Sequence, residues 1–270
     1  MRVRLIFDLK NRGAYVPFHH QFLIAQVIRG VLVKGGQKQY LDFQDFNFSG
    51  LKGQTKISRK GLHFFSQKVT LVISSGSEEF IDYFEKSLFS LGEVMVGNLN
   101  LSPERFERES EVSFSEFGKF LCLSPLALLP ATFGEEDQKR FISPESDEFS
   151  DLLYELTLSR MESSGRYSPD ELAAFYKFQL VPDKDYLKRL DEGHKKFSRI
   201  YPMFDSDIRY ELRGYTFPFT LFASPKVLEF VYTHGLGHST HKGFGMLDLA
   251  NIAAEPVLVS QSSRIAATGH

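Results

Sequence analysis

Tryptophan is absent from this chain, cysteine occurs once, and neither sign of charge is in clear surplus. Each shortage excludes something. One thiol, Cys122, rules out an intrachain disulfide, and its setting in Phe120-Leu-Cys-Leu reads as that of a small buried hydrophobe. No run of about 18 apolar residues occurs, so no segment reads as a membrane span. The opening stretch Met1-Arg-Val-Arg-Leu-Ile-Phe-Asp-Leu reads as a strand without the apolar region of a signal peptide, which makes cytoplasm the default location. The missing tryptophan volume is made up by 27 Phe, which fill a core without a polar atom to satisfy. With 270 residues the chain can bury one large core or two ordinary domains.

The formal charge of −2 averages over a segregated distribution. Residues 51–70 carry Lys52, Lys56, Arg59, Lys60 and Lys68 and no acid, whereas acid gathers at Glu135-Glu-Asp137 and Glu145-Ser-Asp147-Glu148. A local basic patch can recruit a polyanion although the whole molecule is slightly acidic. A solvated hairpin tip is the plainer reading of a single charge run.

What the chain does have is a dense loop near its end, Gly235-Leu-Gly237-His238-Ser-Thr-His241-Lys242-Gly243-Phe244-Gly245. Glycine turns through φ > 0 and lets a ligand approach backbone amides. Successive free N–H groups can form an anion-binding concavity, to which Lys242 adds a point charge. A long turn without a ligand is the alternative; the two imidazoles and Lys242 favour a polyphosphate guest.

Periodicity supplies the frame. Residues 2–9 read as a strand, and Val16-Pro17-Phe18-His19-His20-Gln21 opens a helix that stops at Gly35-Gly36, with Pro17 in its first turn. Phe46–Leu51 and Leu62-His-Phe-Phe, running into Val69–Ile73, read as a hairpin around the basic loop. A helix at 77–91 and strands at 93–101 and 106–114 follow. The pattern then restarts: a buried strand pair or a bent strand at 119–129, a helix at 146–162, a short helical piece at 169–175, and strands at 175–181 and 208–222. A helix capped by Ser224-Pro225 and ended by Gly235 precedes the glycine loop and a last strand at 245–249. The expected fold is α+β, two tandem ferredoxin-like βαββαβ domains with a cleft between them. The expected domains are 1–117 and 118–252, followed by a disordered tail at 253–270.

With that architecture the glycine loop resembles the signature of the CRISPR repeat-processing endoribonucleases of the repeat-associated mysterious protein superfamily. Val16–Phe22 is similar to that family's lead-in to the first helix, Leu123-Ser-Pro-Leu-Ala127 to its mid-chain strand, and Phe219–Leu249 to its closing strand–helix–loop–strand. The resemblance implies a protein that binds the precursor transcript and cuts each repeat without a metal or other cofactor, leaving 2′,3′-cyclic phosphate and 5′-hydroxyl ends. It implies CRISPR repeat RNA as partner and admits other CRISPR effector subunits. It places the working histidine at His20, with His19 as rival; Tyr40-Leu41-Asp42 stands where the family's other pattern puts a histidine. Lys52 is the expected charge-stabilising lysine and Tyr40 a weaker candidate. Lys56, Arg59 and Lys60, with Gly235, Gly237, His238, His241, Lys242, Gly243 and Gly245, are the expected RNA contacts. Two other readings stay open: a repeat-binding member that has lost cleavage, and a protein-interaction module.

Other motifs fail on topology or spacing. Lys242 precedes a glycine and a strand, not the helix that a nucleotide triphosphatase loop or dinucleotide fingerprint requires. His234, His238 and His241 lack a carboxylate or thiolate within the motif, which disfavours zinc. His238-Ser-Thr240 resembles half of the two-histidine phosphoesterase signature, and the second half is missing.

Overall fold

The computed structural model describes residues 1–129, 139–205 and 208–250; the expected tail and the acidic cluster Glu135–Asp137 lie outside these residues. The first lobe contains β1 (Arg2–Leu9), β2 (Tyr15–Val16), α1 (Gln21–Gly35), β3 (Phe46–Phe48), β4 (Thr55–Ser58), β5 (Gly61–Phe64), β6 (Lys68–Ser75), α2 (Glu78–Leu91), β7 (Val94–Val96) and β8 (Leu99–Arg108). Its main sheet is antiparallel in the order β3-β6-β1-β8-β7, so β1, α1, β3, β6, α2 and β8 make one ferredoxin-like unit. β2, β4 and β5 form a separate small sheet.

The second lobe follows with β9 (Phe117–Cys122), β10 (Leu126–Ala127), α3 (Asp147–Ser163), α4 (Pro169–Ala174), β11 (Phe178–Pro182), α5 (Lys184–Glu192), β12 (Ser198–Asp205), β13 (Ile208–Tyr215), β14 (Phe219–Ala223), α6 (Pro225–His234) and β15 (Leu247–Leu249). The order β11-β14-β9-β15 repeats the ferredoxin-like arrangement, with β10-β13-β12 as an added sheet. The fold is thus two tandem ferredoxin-like lobes.

Each lobe has its own apolar core. In the first, the inward residues Val3, Leu5 and Phe7 of β1 meet Ile24, Ile28 and Val31 of α1 and Phe80, Phe84 and Leu88 of α2. Ser77 caps α2 by accepting the Phe80 N–H, as its sequence pattern requires. In the second, Phe120, Leu180 and Leu221 pack beneath Phe149 and Leu153 of α3 and Val227 and Val231 of α6. The Cys122 Sγ donates to the Phe217 carbonyl at 3.2 Å, and burial pushes this thiol up to about 12.

Several expected boundaries are corrected. Helix α1 begins at Gln21, with His20 as its N-cap, and Pro17 lies outside it because Val16 pairs with Leu62 in a strand. Basic residues 55–60 belong to the β4–β5 hairpin, while β3 joins β6 in the main sheet. The expected strand at 93–101 is a hairpin of β7 and β8 around Gly97, at φ +57°, and β8 ends at Arg108. The expected strand at 208–222 is two strands in different sheets, parted at Phe217-Pro218. Helix α5 is absent from the expected elements; its nine residues carry a short apolar face, Tyr186 and Leu187, packed against the second core. Strand β12 is absent as well, because Pro202 reads as a breaker; it is an edge strand, where a missing N–H costs no ladder bond.

Candidate functional site

The glycine loop is built inward. Gly235, Gly237, Gly243 and Gly245 all have positive φ, between +73° and +89°. The amides of Leu236, Gly245 and His238 donate to Gly245, Pro125 and Ala127 carbonyls, and the Met246 amide donates to Ser124 Oγ. Lys242 and Gly243 amides close a short 3-10 turn onto Ser239 and Thr240. A Cβ on Gly237 would stand 2.5 Å from the Ala127 oxygen, one on Gly243 would stand 2.6 Å from the Phe48 ring, and one on Gly245 would strike the Leu236 oxygen. The amides of Gly243 and Gly245, expected to cradle a phosphate, are instead taken by the protein's own Thr240 and Pro125 carbonyls, and the glycines permit backbone to pack on backbone.

A residue 75 positions away fixes the loop. Arg160 of α3 donates from Nη1 to the Gly235 carbonyl at 2.7 Å and from Nη2 to the His234 carbonyl at 2.5 Å. Burial lowers its pKa to about 10, which leaves the guanidinium charged at neutral pH. No sequence signal ties Arg160 to the loop, since only the packing of α3 against α6 brings them together.

What the loop does present is its crest, residues 238–242. His241 and Lys242 border a cleft of about 450 Å³ with Gln26 and Arg29 of α1 and Met203 of β12. His238 and His241 border a second cleft, of about 590 Å³, with Arg160, Arg166 and Ser163. Burial first, then the charge of Arg160, lowers the His238 pKa. Lys242 Nζ lies 3.3 Å from the Tyr210 hydroxyl.

The two adjacent histidines have different fates. His20 is 5% exposed; its Nδ1–H donates to the Pro17 carbonyl at 3.2 Å and its Nε2 accepts the Leu51 N–H at 3.3 Å. Burial lowers its pKa, so the ring is held neutral with both nitrogens committed. The preference for His20 as the proton-transfer group is therefore corrected. His19 is half-buried and stands edge-on to Tyr201 of β12, ring centroids 4.5 Å apart. Its Nδ1 is buried without a hydrogen-bond partner, and burial, then the Arg199 charge, lowers its pKa. Arg199, Tyr201 and Met203 alternate along β12, so one strand links His19 to the cleft that His241 and Lys242 border.

The other expected residues are dispersed. Tyr40 is 6% exposed and stacks on Tyr83, with Phe43 and Phe80 around it; its candidacy is corrected to a core role. Lys52 is exposed, its Nζ 4.0 Å from Asp248 at the seam between the lobes. Lys56, Arg59 and Lys60 stand exposed on the β4–β5 hairpin, Lys56 Nζ lying 5.0 Å from the centre of the Phe65 ring. Among the described residues no group of three His, Cys, Asp or Glu side chains converges to hold a metal ion.

These features define a tandem ferredoxin-like protein with cation-bordered clefts where the lobes meet. A family model described as CRISPR associated protein Cas6, C-terminal, matches residues 107–249, more than half of the chain. The chain belongs to the Cas6 family. It is 23% identical over 257 residues, 92% of either chain, to CRISPR-associated endoribonuclease Cas6 1 of Methanocaldococcus jannaschii. Among solved structures it resembles a Cas6-related protein of Pyrococcus furiosus, with a TM-score of 0.75 at 19% identity, covering 93% of this chain and 99% of that one. It also resembles a RAMP protein described as binding different RNA substrates, with a TM-score of 0.74 at 19% identity, covering 93% and 100%.

Proposed function

We propose that this protein binds CRISPR repeat RNA and cleaves it within the repeat without a metal. Family membership and the similarity to a Cas6 endoribonuclease support the substrate and reaction class. In the proposed step the 2′-hydroxyl loses its proton, its oxygen bonds to the adjacent phosphorus, and the bond to the 5′ oxygen breaks as that oxygen gains a proton. A 2′,3′-cyclic phosphate and a 5′-hydroxyl result.

The observation that carries the assignment of residues is the half-buried ring of His19, edge-on to Tyr201 and kept neutral by burial and by the Arg199 charge. A neutral imidazole can take the 2′-hydroxyl proton. The Arg199 guanidinium beside it can offset the charge that builds on the phosphorane-like transition state. His238, His241 and Lys242 on the loop crest, and Lys52, Lys56, Arg59 and Lys60 along the first lobe, are proposed to contact phosphates, which position RNA without reading it.

The commitment of both His20 nitrogens favours a second reading, a repeat-binding protein that does not cut. End-labelled repeat RNA incubated with the protein in EDTA separates the two. Cleavage is expected, with a cyclic-phosphate end, and His19→Ala should remove it while RNA binding persists. Binding with no product would establish the non-cleaving reading, and cutting that EDTA abolishes would sink metal independence.

A further inference from the structure

The sheet of the second lobe has one face under α3 and α6 and the other open. On the open face Phe117 of β9 and Phe222 of β14 are direct cross-strand partners, 43% and 45% exposed, with ring centroids 6.0 Å apart. These strands are the two central ones of the sheet. Both residues alternate with Gly118 and Leu221, which point to the buried side, so their exposure follows from register and not from a frayed end.

The same face carries polar and cationic groups in rows. Gln179 of β11 is paired with Phe222, and the next row up places Val181, Thr220 and exposed Lys119 side by side. Lys119 lies about 7 Å along β9 from Phe117, within reach of a phosphate whose base lies on that ring. In the row beyond, Leu121 pairs with Asp248, and this carboxylate is drawn toward Arg2 Nη2 at 3.5 Å and Lys52 Nζ at 4.0 Å. The sole carboxylate of these rows is thus countered by two cations of the first lobe. Large exposed rings with a flanking lysine suit a chain of flat bases joined by anions, because every base has a face to stack and every link a charge.

We propose that the open face of the second lobe is a base-stacking platform on which Phe117 and Phe222 each hold one nucleotide of a single-stranded RNA segment, with Lys119 on the intervening phosphate. The proposal rests on the RNA-binding reading above and adds a site remote in sequence from the glycine loop.

The test uses the full chain and fluorescein-labelled repeat RNA from the locus that carries the gene, read by fluorescence anisotropy. Phe117→Ala and Phe222→Ala should each weaken binding by on the order of 5- to 100-fold. Phe117→Tyr and Phe222→Tyr should retain it, since a phenol still stacks. In parallel, 2-aminopurine placed at successive repeat positions should be quenched at one or two neighbouring nucleotides, and the quenching should vanish in the Ala variants. Thermal melts check that the Ala variants remain folded. Wild-type binding with unchanged affinity and quenching in the Ala variants overturns the platform alone. An absence of wild-type RNA binding overturns the parent reading with it. A wild-type dimer in sedimentation velocity that Phe222→Ala converts to monomer, with RNA affinity unaltered, reassigns the face to self-association.

Discussion

At the scale of single residues the pair His19 and His20 shows how one step along the chain separates two chemistries. The His20 ring is used up: one nitrogen holds the Pro17 carbonyl at the mouth of α1, the other holds the Leu51 amide. Removing it leaves both backbone groups without partners inside the protein, so His20→Ala should destabilise the fold by about 2–4 kcal/mol, measured by urea unfolding. Its cleavage, assayed where the variant is folded, should persist. His19→Ala should show the opposite pattern, near-native stability with cutting lost. Equal stability of His20→Ala and wild type would contradict the structural role assigned to that ring. Resemblance at the sequence level could place a histidine here but could not choose between neighbours, because the choice depends on where α1 begins and on the distant Leu51 amide and Tyr201 ring that folding brings to the two imidazoles.

Elements carry the next layer. The β4–β5 hairpin projects Lys56, Arg59 and Lys60 from a small sheet that is not part of either ferredoxin-like unit. Exposed together on one hairpin, these cations can act on a polyanion's phosphates. Replacing all three by Ala should weaken repeat binding and lower the slope of log affinity against log salt by up to about 3 if each meets one phosphate. An unchanged slope across a salt series would remove the hairpin from the interface. The glycine loop is the contrasting element. Its composition invites the reading of an anion nest, yet Arg160, Ser124 and Ala127 occupy its polar groups. Glycine content signalled close approach correctly and left open what approaches, because a carbonyl of the same chain and a phosphate oxygen make the same demand on backbone space.

For the whole molecule the seam between lobes governs behaviour. Asn47 Nδ2 and Ser74 Oγ, both from the first lobe, donate to the Thr233 carbonyl at 2.7 Å. Asp45, from the loop before β3, accepts His234 Nδ1–H at 2.5 Å and Arg166 Nη2 at 3.0 Å, while His234 Nε2 accepts Arg166 Nη1 at 3.0 Å. Burial lowers the His234 pKa despite the carboxylate, helped by Arg166 and Arg160. Burial opposes ionisation of Asp45, but the His234 hydrogen bond and the nearby cations together lower its pKa. A carboxylate, a neutral imidazole and a guanidinium therefore share this joint. His19, His20, His234 and His238 are all shifted downward, so acid protonates them in the unfolded chain before the folded one. Their stabilising contribution is complete above the ordinary histidine value of about 6.5 and is lost as pH falls through the lowered values. The urea midpoint should hold steady above about pH 7 and decline toward about pH 5. A flat profile over that interval would show that these rings are free to protonate in the fold.

The amino-acid sequence alone determined the elements whose logic is local. Alternation in residues 2–9, the Ser77 and Ser224-Pro225 helix starts and the Gly36 and Gly235 stops lie within a few residues of the structure they specify, and together they spell the doubled βαββαβ order. Tertiary structure decided everything that needs two distant segments at once. Examples are the burial of His20 against Leu51, the capture of the glycine loop by Arg160, the placement of Arg199 beside His19, and the meeting of Phe117 with Phe222 on an open sheet face. Periodicity reports which side of its own element a residue faces. What stands on the other side of that space is set by packing between elements, and the chemistry of this protein lies there.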